Sequence, residues 1–379
     1  MWKKIVMGVL LVASGVVGFF AAKAQVTFNS TMSNVNRDYD TVLENVDLEG
    51  IHVNSDNDVI NILVIGNDYR KETNYNASGL TDTMIIATVD MKHNVLKTTS
   101  LMRDLYVEIP GHGYNKLNAA NSFGGIELLY KTIAKNFNIE LDGYVEIGFK
   151  AFQDIVDAVG GVEVELTESE VSYLNSTNYI RNKKYRDVKA GKQTLNGSQA
   201  LGYCRIRKQG TTINGLRDDY GRTWRQRTVI NAVFDKVKSL PMSDWLKLAN
   251  KLLKNVTTDL SNDKIIEYGK DVVTMGTTKI HQLQIPINGY YRGSASGEFK
   301  VGSCLVMHDA GSTSLSSSAN AEALNKFIFK YDGKDNFKYG TFENKEKKHI
   351  SGLKKKFAEY MSDIIHAGSF FNSLGRNDR

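Results

Sequence analysis

Apolar residues fill VINILVIG (Val59–Gly66) except at Asn61, which predicts a central strand buried on both faces. TMIIATV (Thr83–Val89) and VLKTTSL (Val95–Leu101) flank DMKHN and predict a hairpin. LYVEI adds a short strand that ends at Pro110-Gly111. The period then changes, because Ile126, Leu129, Ile133 and Phe137 recur at helical spacing. YVEIGF and VEVEL are expected strands around a helix FQDIVDAV, with Gly160-Gly161 as its C-cap. LNGSQALGYCRIR is expected to run from a short helical turn into another strand. An arginine-rich helix follows, from Asp219 to about Ser239, and stops before Pro241. Helices near 242–254, 262–275 and 320–330 and strands LQIPI and SCLVM complete the pattern. This order predicts an α/β fold, a mixed β-sheet flanked by helices, over about 58–330. Hairpin links argue against an all-parallel doubly wound sheet.

The two ends of the chain read differently. MWKK precedes eighteen uncharged residues, Ile5 to Ala22, which at about 1.5 Å per residue just span a bilayer core of roughly 30 Å. Lys3 and Lys4 place the N-terminus in the cytoplasm and the bulk of the chain outside. AKA (Ala22–Ala24) also fits a signal-peptide cleavage site, but the apolar run is longer than a usual signal core and favours a retained anchor. The expected organisation is a cytoplasmic stub and transmembrane helix at 1–24 and a polar extracellular stalk at 25–57. The main domain at 58–330 and a C-terminal extension at 331–379 complete it. In the extension, Ile350, Leu353, Phe357, Met361 and Ile364 recur at helical spacing around Lys354–Lys356, which fits a helix packed on the domain or lying on anionic lipid.

Composition adds little. Forty-eight basic and 42 acidic residues give a net charge of +6, compatible with several anionic partners and diagnostic of none. Cys204 and Cys304, far apart and without metal-ligand spacing, could pair in an exported protein, but a buried free thiol is at least as natural for Cys204.

The candidate chemistry lies in two neighbouring segments. YCRIRK supplies Arg205 and Arg207, and DDYGRTWRQR supplies Arg222, Arg225 and Arg227. Read as a strand, the first puts Arg205 and Arg207 on one face. Read as a helix, the second puts Arg222 and Gln226 on the side of Val229 and Val233, with Arg225 and Arg227 at the edges of that stripe. The plain alternative pairs these arginines with Asp218, Asp219 or Glu163 as scaffold. Planar guanidinium forks suit phosphate or pyrophosphate. Asp68 after the central strand and Asp82 before the next suit a magnesium ion shared with phosphates, or serve as turn and capping residues. Arg103, Lys116 and Asn118 add polar groups at strand exits.

NILVIGNDYR, TDTMIIATVD, SLMRDLYVEIPGHGYNKLNAANSFGG, GKQTLNGSQALGYCRIRK and DDYGRTWRQR occur in an order that resembles the LytR-CpsA-Psr family of bacterial envelope proteins. The resemblance implies a membrane-anchored phosphotransferase. It would move a glycopolymer (teichoic acid, capsule or another secondary wall polymer) from a polyprenyl-pyrophosphate carrier to peptidoglycan through a phosphodiester. It further implies Mg²⁺ (or Mn²⁺) on Asp68 and Asp82, with Asp82 and Arg103 as catalytic residues. Substrate contacts would come from Arg70, Arg103, Lys116, Asn118, Arg205, Arg207, Arg222 and Gln226. An apolar cleft for the isoprenoid would draw on residues such as Phe149, Phe152, Ile155, Val229, Ile230 and Val233, which otherwise read as ordinary core. Two positions depart from the family pattern: Leu80 replaces a usual Arg two residues before the second acid, and Met102 replaces the commoner Pro. A non-catalytic binder or sensor of polyprenyl phosphates is the alternative. Nucleic acid is not an expected partner, because the export signal turns the basic residues away from DNA and no helix-turn-helix is apparent. The acceptor groove is expected in variable loops, first among them Asn175 to Lys192.

Overall fold

The largely apolar run at 59–66 needs cover on both faces, and the rest of the fold supplies it. The computed structural model describes residues 35–38, 42–67, 81, 83–212, 215, 217–239, 256–275, 280–334 and 337. The first strands are β1 (Asn36–Arg37), β2 (Val59–Asn67), β3 (Thr83–Asp90), β4 (Val95–Leu101), β5 (Tyr106–Ile109) and β6 (Gly113–Lys116). Helix α1 (Leu117–Phe137), β7 (Gly143–Gly148), α2 (Phe149–Ala158), β8 (Val162–Leu166), α3 (Glu168–Ser176), β9 (Gly191–Leu195) and α4 (Gly197–Tyr203) follow. The remainder is α5 (Asp218–Ser239), β10 (Val256–Thr258), α6 (Asn262–Met275), β11 (Ile280–Ile285), β12 (Tyr291–Gly293), β13 (Leu305–Met307) and α7 (Ser318–Phe329).

Seven strands form the central sheet in the order β1-β10-β7-β2-β3-β4-β11. The expected hairpin is present, since β3 runs antiparallel to both β2 and β4. β2 and β7 are parallel, as are β4 and β11, so the sheet is mixed. Alternation along the strands divides the core. Ile60, Ile62, Val64, Ile85 and Ala87 join Phe152, Ile155, Val229, Val233 and Ile265 in one cluster under α2, α5 and α6. Leu63, Ile65, Met84 and Ile86 are buried outside that cluster, where α1 and α7 cover the sheet. The sheet is thus flanked by helices on both faces, as the chain pattern predicted.

Register decides where the loops gather. Gly66 lies opposite Thr83, Met84 opposite Leu101, Asn67 opposite Gly148, and Ile285 opposite Leu101. The exits of β2, β4, β7 and β11 and the entry to β3 therefore share one end of the sheet.

Two expectations change. The strand expected through Cys204–Arg207 does not form. Asn196 caps a helix instead, in a capping box with Gln199, and the helix runs on to Tyr203 before a turn. Gly197 makes that helix possible, because an added Cβ would meet the backbone of Gln153 at 2.3 Å. Second, part of the segment read as a stalk is built into the domain: β1 pairs with β10, and Leu43 is buried with its N–H on Asp259 (2.9 Å). The two cysteines are both buried and both free, in line with the buried-thiol reading of Cys204. Burial pushes the Cys204 thiol up to about 12, so it is a small apolar filler, not a nucleophile.

Among the described residues no helix is long and apolar enough to cross a membrane, and the run Ile5–Ala22 lies outside them. The helix expected near 242–254 and the amphipathic segment at 349–371 also lie outside. Apart from Phe337, the described residues belong to one compact unit ending at Asp335.

Candidate active site

Arg103 and Asp104 stand at the turn that follows β4. That turn is fastened from behind: the Asn118 N–H donates to the Arg103 carbonyl (3.1 Å), and the Leu117 N–H to the Leu105 carbonyl (2.8 Å). The fastening brings the end of β6 alongside, so that Lys116 Nζ lies 3.4 Å from Asp104 Oδ1. Asn118 itself is buried at the start of α1.

The other wall is the first turn of α5. Asp218 holds φ +52°, a conformation that aspartate tolerates better than most residues, and its N–H donates to the Arg207 carbonyl. This bond ties the arginine-bearing loop to the helix start and leaves Asp219 facing inward. Asp219 Oδ1 meets Arg207 at 2.8 Å and Arg222 at 3.2 Å, while Arg103 Nε lies 3.7 Å from Oδ2. Arg103 Nε is also 3.3 Å from Asp104 Oδ2.

The two carboxyls, Asp104 and Asp219, are neighbours, and each influences the other's titration. Burial works to raise Asp104, but Asp219 and the charges of Arg103 and Lys116 outweigh it and hold Asp104 below its ordinary value. On Asp219 burial wins, opposed by Arg222 and helped by Asp104, so this carboxyl is raised. Four cationic side chains therefore face two carboxyls. The surplus is positive, in a place where burial strengthens it. The arrangement can hold a multiply charged anion such as pyrophosphate.

The sequence-predicted residues do not all converge. Arg103, Lys116, Arg207 and Arg222 come together around the two acids. Arg222 and Gln226 line a cavity of about 20 Å³ with Arg103 and Asp219, between helix and sheet as expected. Arg205 turns away from Arg207, its guanidinium 5.4 Å from the Phe149 ring and 5.5 Å from the Tyr179 ring. Arg225, expected at the edge of the apolar stripe, is fully buried on Glu170 (2.6 Å), and Arg227 is buried on Gln284 (3.2 Å). The reason is that α5 packs through polar side chains as well as apolar ones. Asp68, Arg70, Leu80 and Asp82 lie outside the described residues.

Sequence reasoning passed over Asp104 as a site residue, although it stands beside Arg103 in SLMRD, and treated Asp219 only as a scaffold partner. It also missed Glu170, whose signal was the T-x-x-E capping box at Thr167. Among the described residues no group of three or more His, Cys, Asp or Glu side chains gathers for a metal. The Thr81 hydroxyl, next to Asp82 in the chain, is fully buried and has no hydrogen-bond partner among the described residues. A hard oxygen left unsatisfied beside a carboxylate fits an oxygen-liganded divalent ion.

The LytR_cpsA_psr family model matches residues 22–304. The chain belongs to this family. Among curated relatives, a polyisoprenyl-teichoic acid–peptidoglycan teichoic acid transferase TagU of Enterococcus faecalis is 34% identical over 285 residues, 74% of this chain and 86% of the relative. The TagU of Bacillus mycoides is 30% identical over 291 residues, 76% of this chain and 88% of the relative. Among solved structures, TagT bound to LIIa-WTA is 27% identical with a TM-score of 0.51, covering 72% of this chain and 91% of that one. TagT of B. subtilis is 26% identical with a TM-score of 0.51, covering 72% and 90%. The mixed sheet flanked by helices is thus the fold of the LytR_cpsA_psr proteins.

Proposed function

We propose that this chain is a cell-envelope phosphotransferase that moves a glycopolymer from a polyprenyl-pyrophosphate carrier to peptidoglycan. The observation that carries the reading is the cluster of Arg103, Lys116, Arg207 and Arg222 around Asp104 and Asp219. It is supported by membership of a family whose relatives bear the names of teichoic acid transferases. In the reaction an acceptor hydroxyl of the wall forms a bond to the glycan-bearing phosphorus, and its proton passes to the departing phosphate or to water. The bond from that phosphorus to the bridging oxygen breaks, and polyprenyl phosphate leaves. Arg207 and Arg222 offer planar forks to the phosphate oxygens, and Arg103 and Lys116 neutralise the charge that grows on the leaving group. Asp68 and Asp82 would hold Mg²⁺ (or Mn²⁺), which when bound supplies further neutralisation of pyrophosphate charge. Gln226, Asn118, Arg70 and Arg205 are assigned to the donor as well, Arg205 at the rim that carries Phe149.

The same reading takes Ile5–Ala22 as a single membrane anchor with the catalytic domain, 58–330, outside the cell and 331–379 as an extension. Leu80, in place of the usual arginine, favours one alternative, a binder of polyprenyl phosphates without turnover. Release of polyprenyl monophosphate from a lipid-linked glycan separates the two. The wild-type chain should release it with Mg²⁺, and Asp82→Ala should bind the donor yet release almost none. A wild-type chain that binds donor and never releases monophosphate, under any divalent ion, would establish the binder instead.

A further inference from the structure

A second cleft opens beside the arginine site and differs from it in chemistry. Its volume is about 660 Å³, within the range of roughly 300–1,000 Å³ usual for small-ligand sites. It is framed by the first turns of α2, the 181–185 loop and the start of α4. We propose that this cleft is a saccharide subsite, holding uncharged pyranose rings of the glycan that takes part in transfer. The proposal rests on the transferase reading above and names where that reading's sugar lies.

Three observations carry it. Phe149 and Tyr185 are half-buried aromatic walls, the kind of surface on which the C–H face of a sugar ring stacks. Gln153, Arg181 and Ser198 line the cleft between them, and none is hydrogen-bonded to another described group. They offer both donors and acceptors, as the hydroxyl edge and acetamido groups of a wall sugar require. The charges cancel: Lys150 and Arg181 stand against Asp154 and Asp157, with Lys150 paired to Asp154. A polyanionic chain would gain nothing here, in contrast to the cationic surplus around Asp219.

The two sites are joined through one residue. Arg205 stacks over Phe149, and Arg207, two positions on, touches Asp219. A sugar resting on the Phe149 side is therefore next to the phosphate it gives or receives. Both the first sugars of the donor and the acceptor strand have this chemistry, and the test separates them.

The full-length chain in detergent is titrated with three probes: lysozyme-released peptidoglycan fragments, a prenyl-pyrophosphate disaccharide, and the bare prenyl pyrophosphate. The variants are Arg181→Ala and Gln153→Ala/Arg181→Ala, chosen because these side chains bond nothing described and so leave the fold alone. The double variant should lose about tenfold in affinity for a saccharide probe, the worth of a lost hydrogen-bonded contact, and keep wild-type affinity for the bare pyrophosphate. Loss with the lipid-free fragments assigns the cleft to the acceptor, and loss confined to the disaccharide donor assigns it to the donor's sugars. An equal loss on bare pyrophosphate overturns the proposal, as does a wild-type chain that binds pyrophosphate but neither saccharide better than the double variant does. A wild-type chain that binds no probe at all overturns the transferase reading itself.

Discussion

Arg225 places Nε on Glu170 at 2.6 Å and its other two nitrogens on the carbonyls of Ile206 (3.0 Å) and Gln209 (2.6 Å). Arg222, three residues earlier on the same helix, shares one oxygen of Asp219 with Arg207. In the first region acceptors match donors. Glu170 spends its second oxygen on the N–H and hydroxyl of Thr167, and neither member of the ion pair has exposed side-chain surface. In the second region four cationic side chains gather around two carboxyls. A buried arginine alone therefore says little about function. An excess of positive charge over carboxylates is what suits an anion site.

The closed pair has its own part in the open one. By holding the carbonyls of Ile206 and Gln209, Arg225 fixes the loop that presents Arg205 and Arg207. The most damaging change should thus fall here. Glu170→Gln or Arg225→Lys should cost about 3–5 kcal/mol of stability, because each leaves a buried partner unmatched. Urea denaturation measures this directly. A loss under about 1 kcal/mol for Arg225→Lys would mean that the pair tolerates a point charge and that its geometry is not what holds the loop.

Arg222→Lys should show the opposite balance. Charge is kept and the planar fork is lost, so affinity for a polyprenyl-pyrophosphate analogue should fall by about 1–3 kcal/mol. Its stability loss should stay well below that of Arg225→Lys, since Asp219 keeps Arg207 and Arg103 as neighbours. An unchanged affinity for Arg222→Lys would point to a diffuse basic patch, in which charge alone counts.

Much of this comparison was hidden from the sequence for a physical reason. Val59–Gly66, the 83–101 hairpin and the long helix through Phe137 declare themselves by pattern, because burial on both faces of a strand and on one stripe of a helix leave different spacings. Arg103, Lys116, Arg207 and Arg222 could be named because their motifs resemble those of the LytR-CpsA-Psr family. Helical spacing also set Arg225 apart from Arg222, but it put Arg225 at the edge of the stripe and not in full burial. Its partner Glu170 lies 55 residues away, and only the fold brings the two together. The 203–207 strand failed because apolar-polar alternation outweighed the Asn196-x-x-Gln199 cap, a local signal that was visible.

A third buried acid completes the series, since Asp142 has no arginine or lysine on it. Its Oδ2 accepts the Asn61 N–H at 2.6 Å, and burial, with Glu140 nearby adding repulsion, pushes it from 3.8 up to about 6. Where Asp219 is raised against the pull of three guanidiniums, Asp142 is raised with almost nothing opposing except backbone N–H groups. The fold favours its protonated form. The stability this contributes is complete below the ordinary value of 3.8 and is lost as pH rises through about 6. Asp142→Asn keeps an oxygen for Asn61 and removes the titration. The wild-type chain should therefore lose stability relative to the variant between pH 4 and pH 7, by on the order of 1 kcal/mol. Denaturation midpoints of the pair across that range test it. A constant difference would show that Asp142 titrates at its ordinary value, and that water or a cation reaches this acid as it reaches a surface carboxylate.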